Sequence, residues 1–410
     1  MAFPHLSSHN YDIVIVGAGI LGMATALELS YRYSRYKIGV VEKEKRLGAH
    51  QTGHNSGVIH SGIYYRPGSL KAKTCVAGAR GLIEFCQEND VRYELCGKVI
   101  LAANEREEST LEELYRRGVA NGVPGLEKIG VERLRELEPY AHGSMALYSP
   151  NTGIVDYGEV TNAYANKFRQ NGGDVLTETK LLGIRQVNGY MHLITNLTDL
   201  STRYLINCAG LYADMIARMM GVGYDVRIIP FRGDYYMLSP EASHLVKGLI
   251  YPVPDQAFPF LGVHFTRTIH GHVEAGPNAV LAFAREGYKM SKINLTETMA
   301  TISYRGFWAM AARYWRTGMA EFYRSLSKRA FTRALQNLLP DIKEENLQRG
   351  NAGVRAQAVD RKGFLLDDFR ISETKNAIHV LNAPSPGATA SLAISRDIVA
   401  MAEKSFALAG

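Results

Sequence analysis

The feature that most constrains this sequence is a glycine-rich turn between an apolar strand and a helix. Residues 11–16 are mostly β-branched and apolar on both faces, which is typical of a buried parallel strand. The run Gly-Ala-Gly-Ile-Leu-Gly at residues 17–22 follows directly, and residues 23–29 favour a helix. A second apolar strand at residues 38–41 ends in Glu42. This order of elements predicts a βαβ unit whose turn binds a dinucleotide.

Each glycine of the turn has a separate physical role in such a site. Gly17 permits a tight turn, Gly19 lets a diphosphate approach backbone N–H groups, and Gly22 lets the helix pack closely on the strand. The helix N-terminus adds partial positive charge for the diphosphate. Glu42 is placed to accept hydrogen bonds from a ribose diol. The alternative is a chance glycine-rich turn in an ordinary α/β protein, but the complete βαβ pattern favours the dinucleotide site.

Residues 47–65 have a composition that does not suit a normal core element. They contain four glycines and three histidines among small hydroxyl residues. We interpret them as a loop and short helix pressed against a ligand, with glycines where the backbone comes close. A flexible surface loop is the alternative, although Val58, Ile59 and Ile63 are unusual in such a loop.

Two later segments repeat the pattern of a buried strand that ends in small residues before a helix. The first runs over residues 204–208 and ends in Ala209-Gly210, and the second runs over residues 378–382 into a turn at 383–390. We expect both strand ends to lie beside the first glycine turn in one sheet, because cofactors bind at the carboxyl edge of such sheets. A plain strand-to-helix turn is the alternative for each segment.

The middle of the chain has a different composition. Residues 227–284 are rich in Pro, Gly and aromatic residues and predict a β-sheet lobe. Residues 91–147 are predicted to form the first part of this lobe along the chain. Between residues 305 and 333 there are seven basic residues and one acid, with tryptophans nearby. A basic helical stretch with aromatic residues fits an anionic membrane surface. A helical pair packing on the chain's own core fits equally well.

Composition narrows the class further. The 410 residues include 47 basic and 40 acidic residues, a net charge of +7. The four cysteines form no C-x-x-C pair, so we expect reduced core residues in a cytosolic setting. The N-terminus has neither the basic nor the apolar region of a secretory signal, and no stretch is long enough to span a membrane.

With these segments in place, the chain resembles flavoproteins of the D-amino-acid oxidase and glycerol-3-phosphate dehydrogenase superfamily. Residues 54–65, 353–357 and 382–391 resemble, more narrowly, the branch that oxidises L-2-hydroxyglutarate. The implied fold is α/β, with a discontinuous Rossmann-like FAD-binding lobe and a substrate lobe of mostly antiparallel sheet and helices. The FAD-binding lobe is assigned residues 1–85, 148–220 and 345–410. The substrate lobe is assigned residues 86–147 and 221–344, with 290–338 as a basic helical insertion.

The resemblance implies FAD-dependent oxidation of L-2-hydroxyglutarate to 2-oxoglutarate, with the hydride passing to flavin N5. Electrons would pass on to the membrane quinone pool or to oxygen. The implied location is the cytoplasmic side of the inner membrane, with peripheral attachment, and neither nucleic acid nor metal is expected. Whether the protein forms a homo-oligomer is left open. The alternatives are a related flavoenzyme acting on another 2-hydroxy acid, glycerol 3-phosphate or an amino acid, and a non-catalytic flavin-binding module.

Oxidation of a 2-hydroxy acid needs a base for the hydroxyl proton and cations for the carboxylates. Histidine suits the base because its pKa lies near neutral pH, so His60 and His264 are the predicted catalytic residues. Arginine grips a carboxylate with two parallel hydrogen bonds, so Arg355 is the first substrate-binding candidate and Arg267 the second. Strand alternation puts Arg267 on the face opposite to His264.

Two neutral residues, Gln357 and Tyr65, are predicted to add hydrogen bonds to the substrate. The residues that the motifs and the resemblance together assign to FAD are spread over four parts of the chain. They are Gly17, Ala18, Gly19, Ile20, Leu21, Gly22, Glu42, Lys43, Thr52, His54, Asn55, Ser56, Gly57, Leu181, Ala209, Gly210, Ser385, Pro386, Gly387, Ala388 and Thr389.

Overall fold

A computed structural model of the chain describes residues 9–254 and 261–409. Phe260, at the start of the strand predicted to alternate, lies outside the described residues. The strands in the described part are β1 (His9–Val16), β2 (Ile38–Val41), β3 (Val58–Ile59), β4 (Tyr93–Glu94), β5 (Lys98–Ala102), β6 (Glu127–Ile129), β7 (Met145–Ser149), β8 (Gly153–Val155), β9 (Asp174–Leu176), β10 (Leu181–Val187), β11 (Tyr190–Thr195), β12 (Leu200–Asn207), β13 (Val226–Leu238), β14 (Leu249–Pro252), β15 (His264–Arg267), β16 (Val273–Gly276), β17 (Val280–Leu281), β18 (Leu347–Asp360), β19 (Arg370–Glu373) and β20 (Ala377–Asn382).

The helices of the same described ranges cover the predicted helical segments within a few residues. They are α1 (Ile20–Arg32), α2 (Leu70–Glu88), α3 (Glu105–Ala120), α4 (Val131–Leu137), α5 (Tyr157–Gln170), α6 (Ala213–Met219), α7 (Leu295–Ile302), α8 (Arg305–Leu326), α9 (Lys328–Gln336) and α10 (Ser391–Phe406). A short 3₁₀ helix at Gln51–Gly53 lies in the glycine- and histidine-rich segment, as predicted.

The first sheet is built around five parallel strands in the order β9, β2, β1, β12 and β20. Val16 at the end of β1 pairs with Val41 of β2 on one side and with Asn207 of β12 on the other. The carboxyl ends of these strands therefore meet at one edge of the sheet. This confirms that the Ala209-Gly210 strand end lies beside the first glycine turn.

Strand β1 is buried on both faces because its side chains alternate between two apolar cores. Ile13 and Ile15 pack with helices α1, α5 and α10 in the larger core of this lobe. Val14 and Val16 face the opposite side, where they pack with strands β10 to β12 and helix α6. The continuous apolar run of the sequence thus fits a strand covered on both sides.

The second sheet has the order β17, β13, β16, β15, β14, β5, β7 and β6, with β18 beside β13. Every neighbouring pair is antiparallel except β14 and β5, which agrees with the predicted mostly antiparallel lobe. The predicted lobe boundaries stay a prediction. Residues 347–360, which the prediction places in the FAD-binding lobe, form β18, and β18 pairs with β13 of the second sheet along nearly its whole length.

The basic segment at residues 290–338 folds as helices α7, α8 and α9. One side of α8 faces the protein, where Met310 is buried and Phe307 and Tyr314 pack in a small core under the second sheet. The other side carries Trp308 and Trp315, which are 59% and 58% exposed. Helix α8 therefore packs on the chain's own core and also presents an apolar face to solvent.

Substitution of Gly22 tests how tightly the glycine turn is packed. A Cβ atom at Gly22 would lie 1.9 Å from the carbonyl oxygen of Gly17, so Gly22→Ala should displace the turn. We expect the variant to purify with most of its FAD lost and a clearly lower melting temperature, measured by absorbance at the flavin band and by thermal unfolding. Overpacking of this kind typically costs about 1–3 kcal/mol.

Gly81 provides the matched control for this substitution. It also lies in a helix, α2, but a Cβ atom there would meet nothing within 4 Å. Gly81→Ala should keep its flavin and be neutral or more stable by up to about 1 kcal/mol, because alanine favours helix over glycine. Equal flavin content in the two variants would contradict the packing argument.

Candidate functional site

A cavity of about 1840 Å³ is lined by both sheets. It reaches the carboxyl edge of the first sheet at Gly17 and Glu42, and the second sheet at Tyr251, His264 and Arg355. Pockets for small molecules usually span about 300–1,000 Å³. This cavity is large enough for a dinucleotide together with a small substrate.

The glycine turn forms one part of the cavity wall. Gly17 has a φ of +102°, and a Cβ atom there would lie 2.6 Å from the carbonyl oxygen of Cys208. Gly19 is the N-cap of α1, and no side chain caps the helix there. The helix N-terminus therefore faces the cavity with its partial positive charge available to a diphosphate.

The Glu42 carboxylate is held in a fixed orientation at the end of β2. It accepts hydrogen bonds from the backbone N–H of Ala18 at 2.8 Å and from that of Glu44 at 3.0 Å. The hydroxyl of Thr52 accepts from the N–H of Ile20 at 3.1 Å, which joins the loop after β2 to the start of α1. These contacts shape a cradle that fits the adenosine diphosphate part of FAD.

Most residues predicted to bind FAD line this cavity. They are Gly17, Gly19, Ile20, Leu21, Glu42, Lys43, Thr52, His54, Asn55, Ser56, Leu181, Ala209, Gly210, Ser385, Pro386, Gly387, Ala388 and Thr389. Ala18, Gly22 and Gly57 are not among the lining residues, and their contact with FAD stays a prediction. Ala18 orients Glu42, Gly22 packs under the turn, and the carbonyl of Gly57 accepts a hydrogen bond from Val155 at 2.8 Å.

Lys43 lines the cavity but is engaged by neighbouring side chains. Its ammonium lies 2.6 Å from Glu286, which comes from the connection between β17 and α7, and 2.9 Å from His50. Glu44 also pairs with Lys43, so the lysine occupies the centre of a cluster of two acids and a histidine. Lys43 thus connects the two lobes at the rim of the predicted cofactor site.

The opposite part of the cavity contains a hydrogen-bonded junction between the first loop and the C-terminal turn. Thr389 accepts a hydrogen bond from the backbone N–H of His60 at 3.1 Å, and its hydroxyl lies 2.7 Å from that of Tyr157. Ser385 lies 3.3 Å from Nε2 of His60. Three distant parts of the chain therefore meet around the His60 ring.

Both predicted catalytic histidines line the cavity, His264 as a buried residue and His60 as a half-buried one. Burial lowers the pKa of His60 to about 3, and the positive charge of Lys98 contributes to this shift. Burial also lowers the pKa of His264 to about 3, with Arg355 and Lys98 acting in the same direction. Both imidazoles are therefore neutral at pH 7, which leaves each with a lone pair that can accept a proton.

The hydrogen bonds of His264 define its tautomer. Its Nδ1 lies 2.8 Å from the carbonyl oxygen of Gly262, and a carbonyl can only accept, so Nδ1 carries the hydrogen. The lone pair of the neutral ring is consequently on Nε2. The ring stacks on Tyr251 with centroids 3.9 Å apart, which fixes its plane. His264 is better defined as a proton acceptor than His60, whose Nδ1 is buried without a partner.

Among the predicted substrate-binding residues, the structure brings Arg355, Gln357 and Tyr65 to the cavity. Arg355 and Gln357 lie two positions apart on β18 and so share one face of the strand. The amide of Gln357 donates to the carbonyl of Leu366 at 3.2 Å, so it also holds the adjoining loop.

Arg267, the second predicted substrate-binding arginine, is not among the residues that line the cavity. It pairs with Glu94 of β4 and is 31% exposed. The physical reason is the strand alternation itself: His264 faces the cavity, and Arg267, three positions later, faces away from it. The cationic group at this end of the cavity is therefore Arg355.

Residues that the sequence analysis did not select also surround the two histidines. Tyr64, Tyr235 and Tyr251 line the cavity, and Lys98 lies behind two of these tyrosines. A lysine at the start of a strand is usually exposed, so the sequence carries no signal for its burial. The tyrosines come from three separate segments that only the folded chain brings together.

The fold and the cavity define a flavoprotein oxidoreductase, and comparison with known families agrees. The family model described as FAD dependent oxidoreductase matches residues 12–401. The chain therefore belongs to the FAD dependent oxidoreductase family. FAD is accordingly its cofactor, and the cradle at Gly17 and Glu42 fits that cofactor.

Curated relatives place the chain within this family among the L-2-hydroxyglutarate dehydrogenases. It is 52% identical to the protein of that name from Indibacter alkaliphilus, over 97% of this chain and 100% of the relative. It is 47% identical to the human mitochondrial L-2-hydroxyglutarate dehydrogenase, over 98% of this chain and 90% of the relative.

Solved structures support the fold. The L-alpha-glycerophosphate oxidase of Mycoplasma pneumoniae, with FAD bound, superposes with a TM-score of 0.78 at 24% identity, covering 96% of this chain and 94% of that one. Glycine oxidase from Geobacillus kaustophilus gives a TM-score of 0.70 at 16% identity, covering 97% and 95%. At these identities the likeness shows that the neighbours share the fold of this chain.

The two arginine candidates can be separated by mutation. Arg355→Ala should weaken binding of glutarate, an unreactive dicarboxylate, by about 30-fold or more, because truncating a buried charged partner costs at least about 2 kcal/mol. Arg267→Ala should change it less than about threefold, since Arg267 pairs with Glu94 outside the cavity. Titration of the flavin absorbance measures both, and retained FAD content controls for folding. Equal losses in the two variants would remove Arg355 from the site.

Proposed function

We propose that this chain oxidises L-2-hydroxyglutarate to 2-oxoglutarate. The observation that carries the proposal is the pairing, at one end of the cavity, of a cationic Arg355 with the neutral imidazoles of His60 and His264. The substrate named for the relatives has two carboxylates and one hydroxyl beside the reacting carbon. An arginine and an uncharged base are the groups that such a substrate requires.

In this proposal Arg355 binds one substrate carboxylate and sets the position of the hydroxyl-bearing carbon. Burial lowers the pKa of Arg355, but a guanidinium with a high ordinary pKa keeps its charge at neutral pH. Gln357, on the same face of β18, and Tyr65 add neutral hydrogen bonds. The fork of the guanidinium fixes the carboxylate plane, and this orients the substrate relative to His264.

His264 is the proposed base, and His60 is a second group close to it. The lone pair on Nε2 of His264 accepts the proton of the substrate hydroxyl as the carbon–hydrogen bond breaks. Binding of an anionic substrate raises the basicity of a neutral imidazole beside it, because the imidazolium then has an opposite charge nearby. FAD supplies the acceptor for the hydride when it is bound.

The proposed reaction can be tested on the purified protein without an added electron acceptor. Under anaerobic conditions, L-2-hydroxyglutarate, the substrate named for the relatives, should bleach the flavin absorbance. The D enantiomer should leave it unchanged, because one enantiomer alone can place its carboxylate at Arg355, its hydroxyl at His264 and its hydride toward the flavin together. Malate, glycerol 3-phosphate and amino acids serve as the comparison set. Bleaching by one of these compounds, with none by L-2-hydroxyglutarate, would replace the proposed substrate by that compound.

We also propose that electrons leave the flavin at an anionic membrane surface, where quinones are available. Among the described residues, no helix is long and apolar enough to cross a bilayer. Support for surface docking comes from an outer stripe of exposed apolar residues along α8. The outer stripe consists of Trp308, Trp315, Met319, Phe322 and Leu326.

The spacing of the outer stripe places all five side chains on one face of α8, opposite the buried face that carries Met310. Exposed arginines flank it, at Arg305 and Arg316. Helix α7 adds Leu295 and Met299, which are 76% and 62% exposed. An apolar face bordered by arginines matches the boundary between acyl chains and acidic headgroups.

Vesicle binding tests the docking proposal. The double variant Trp308→Ser/Trp315→Ser should bind phosphatidylglycerol vesicles at least about tenfold more weakly than the unchanged protein, because burial of each aromatic side chain contributes about 1.5–3 kcal/mol. Its flavin bleaching should be unchanged. Leu197→Ser is the matched control, since Leu197 is 65% exposed but lies in the connection between β11 and β12.

Two results would contradict docking on a lipid surface. One is that the unchanged protein fails to co-sediment with anionic vesicles at low salt. The other is that the outer stripe mediates self-association, seen as a dimer in solution that the double tryptophan variant converts to a monomer. Binding that weakens with added salt is expected, because the flanking arginines contribute an electrostatic attraction.

A further inference from the structure

Lys98 is a buried lysine for which the fold provides no carboxylate. It opens β5, is 2% exposed, and forms no ion pair with an acid anywhere in residues 9–254 and 261–409. Its ammonium lies 4.8 Å from the ring centroid of Tyr64 and 5.1 Å from that of Tyr251. Cation–π contacts offset part of the cost of burial, but an unpaired buried charge still costs several kcal/mol.

Within residues 9–254 and 261–409, the groups that face Lys98 are all uncharged at neutral pH. They are Tyr64 and Tyr251, the rings of His60 and His264, and Cys75 on α2. Burial raises the pKa of the Cys75 thiol to about 12, so it supplies no counter-charge. The field of the ammonium is therefore not neutralised where it reaches the cavity.

The tyrosine pair connects Lys98 to the reaction end of the cavity. Tyr64 and Tyr251 both line the cavity, and His264 stacks on Tyr251. The hydroxyl of Tyr64 and Nδ1 of His60 are buried polar atoms that find no partner in the described part of the chain. Buried polar atoms normally have partners, so these two point to a ligand that completes the site.

The following inference rests on the proposed oxidation of a dicarboxylate. We propose that Lys98 is a positioning residue: its ammonium, held behind Tyr64 and Tyr251, attracts the substrate anion toward His60 and His264 and keeps both imidazoles uncharged until that anion arrives. Lys98 adds a second positive charge to that of Arg355, and the substrate brings two negative charges. A substrate carboxylate would supply the negative charge that the described residues do not place beside Lys98.

The protonation of Lys98 gives this role a distinct pH dependence. Burial lowers the pKa of Lys98 to about 8. The ammonium is therefore present at pH 7 and is lost as the pH rises through about 8. The two carboxylates of the ligand stay ionised over this range, and Arg355 stays charged. A loss of glutarate affinity as the pH rises through that value would therefore indicate deprotonation of Lys98.

The experiment measures glutarate binding to the oxidised holoenzyme, by flavin absorbance, from about pH 6 to about pH 10. In the unchanged protein affinity should fall above about pH 8. Lys98→Arg should keep its affinity to the alkaline end, because guanidinium does not titrate there. Lys98→Met should bind about tenfold or more weakly at neutral pH, with no alkaline loss, and the acid limb of its kcat/KM profile with L-2-hydroxyglutarate should move to higher pH.

Lys128→Met is the matched control for loss of a lysine from this sheet. Lys128 lies on β6 and also sits over a tyrosine, Tyr115 at 4.9 Å, but it is exposed and pairs with Glu112 at 2.9 Å. This variant should bind glutarate as the unchanged protein does. FAD content and thermal unfolding show whether each variant is folded. If Lys98→Met does not fold, the alkaline limb of glutarate binding to Lys98→Arg alone tests the inference.

An alkaline limb that is identical in the unchanged protein and in Lys98→Arg would overturn the inference. So would glutarate affinity in a folded Lys98→Met protein within about twofold of the unchanged value. Failure of the proposed function would look different. In that case L-2-hydroxyglutarate would leave the flavin oxidised, while glutarate binding would still depend on Lys98. If the unchanged protein does not bind glutarate at any pH, the inference is wrong.

Discussion

The alignment of parallel strand ends at one edge of the first sheet is the constraint on which the site depends. Because β1 pairs with β2 and with β12 in register, the glycine turn, Glu42 and the Ala209-Gly210 turn all emerge at the same edge. Strand β20 joins β12 and delivers the C-terminal turn to the same place. The loop at His60 then closes against that turn through Thr389.

The residues at this edge of the sheet could be predicted from the sequence. The residues in the rest of the site were harder to predict. The βαβ unit is local, so strand, turn, helix and Glu42 follow from residues close together in the chain. The sequence could not decide between Arg267 and Arg355 because it does not show which faces of β15 and β18 meet the cavity. Lys98 was missed because its burial arises from the packing of Tyr64 and Tyr251, which come from other segments.

The pairing of β18 with the second sheet could not be predicted from the sequence for a reason of the same kind. A strand can follow a lobe in sequence and still pair with a strand of the other lobe, since pairing is decided by register over distant residues. The two interpretations of the basic segment also proved compatible rather than exclusive. One side of α8 packs on the core through Met310, and the opposite side carries the exposed tryptophans.

Strand β18 has a mechanical consequence for access to the buried cavity. It carries Arg355, it pairs with β13 across 12 residue positions, and its Ala352 carbonyl accepts a hydrogen bond from His54 at 3.0 Å. A Cβ atom at Gly353 would lie only 2.5 Å from the carbonyl oxygen of His54. Arg355, the proposed carboxylate-binding residue, is thus held two positions from the contact between β18 and the His54 loop, and a hinge motion between the two sheets would have to break that contact. We therefore expect small molecules to enter and leave through the mouth of the cavity while its walls stay together.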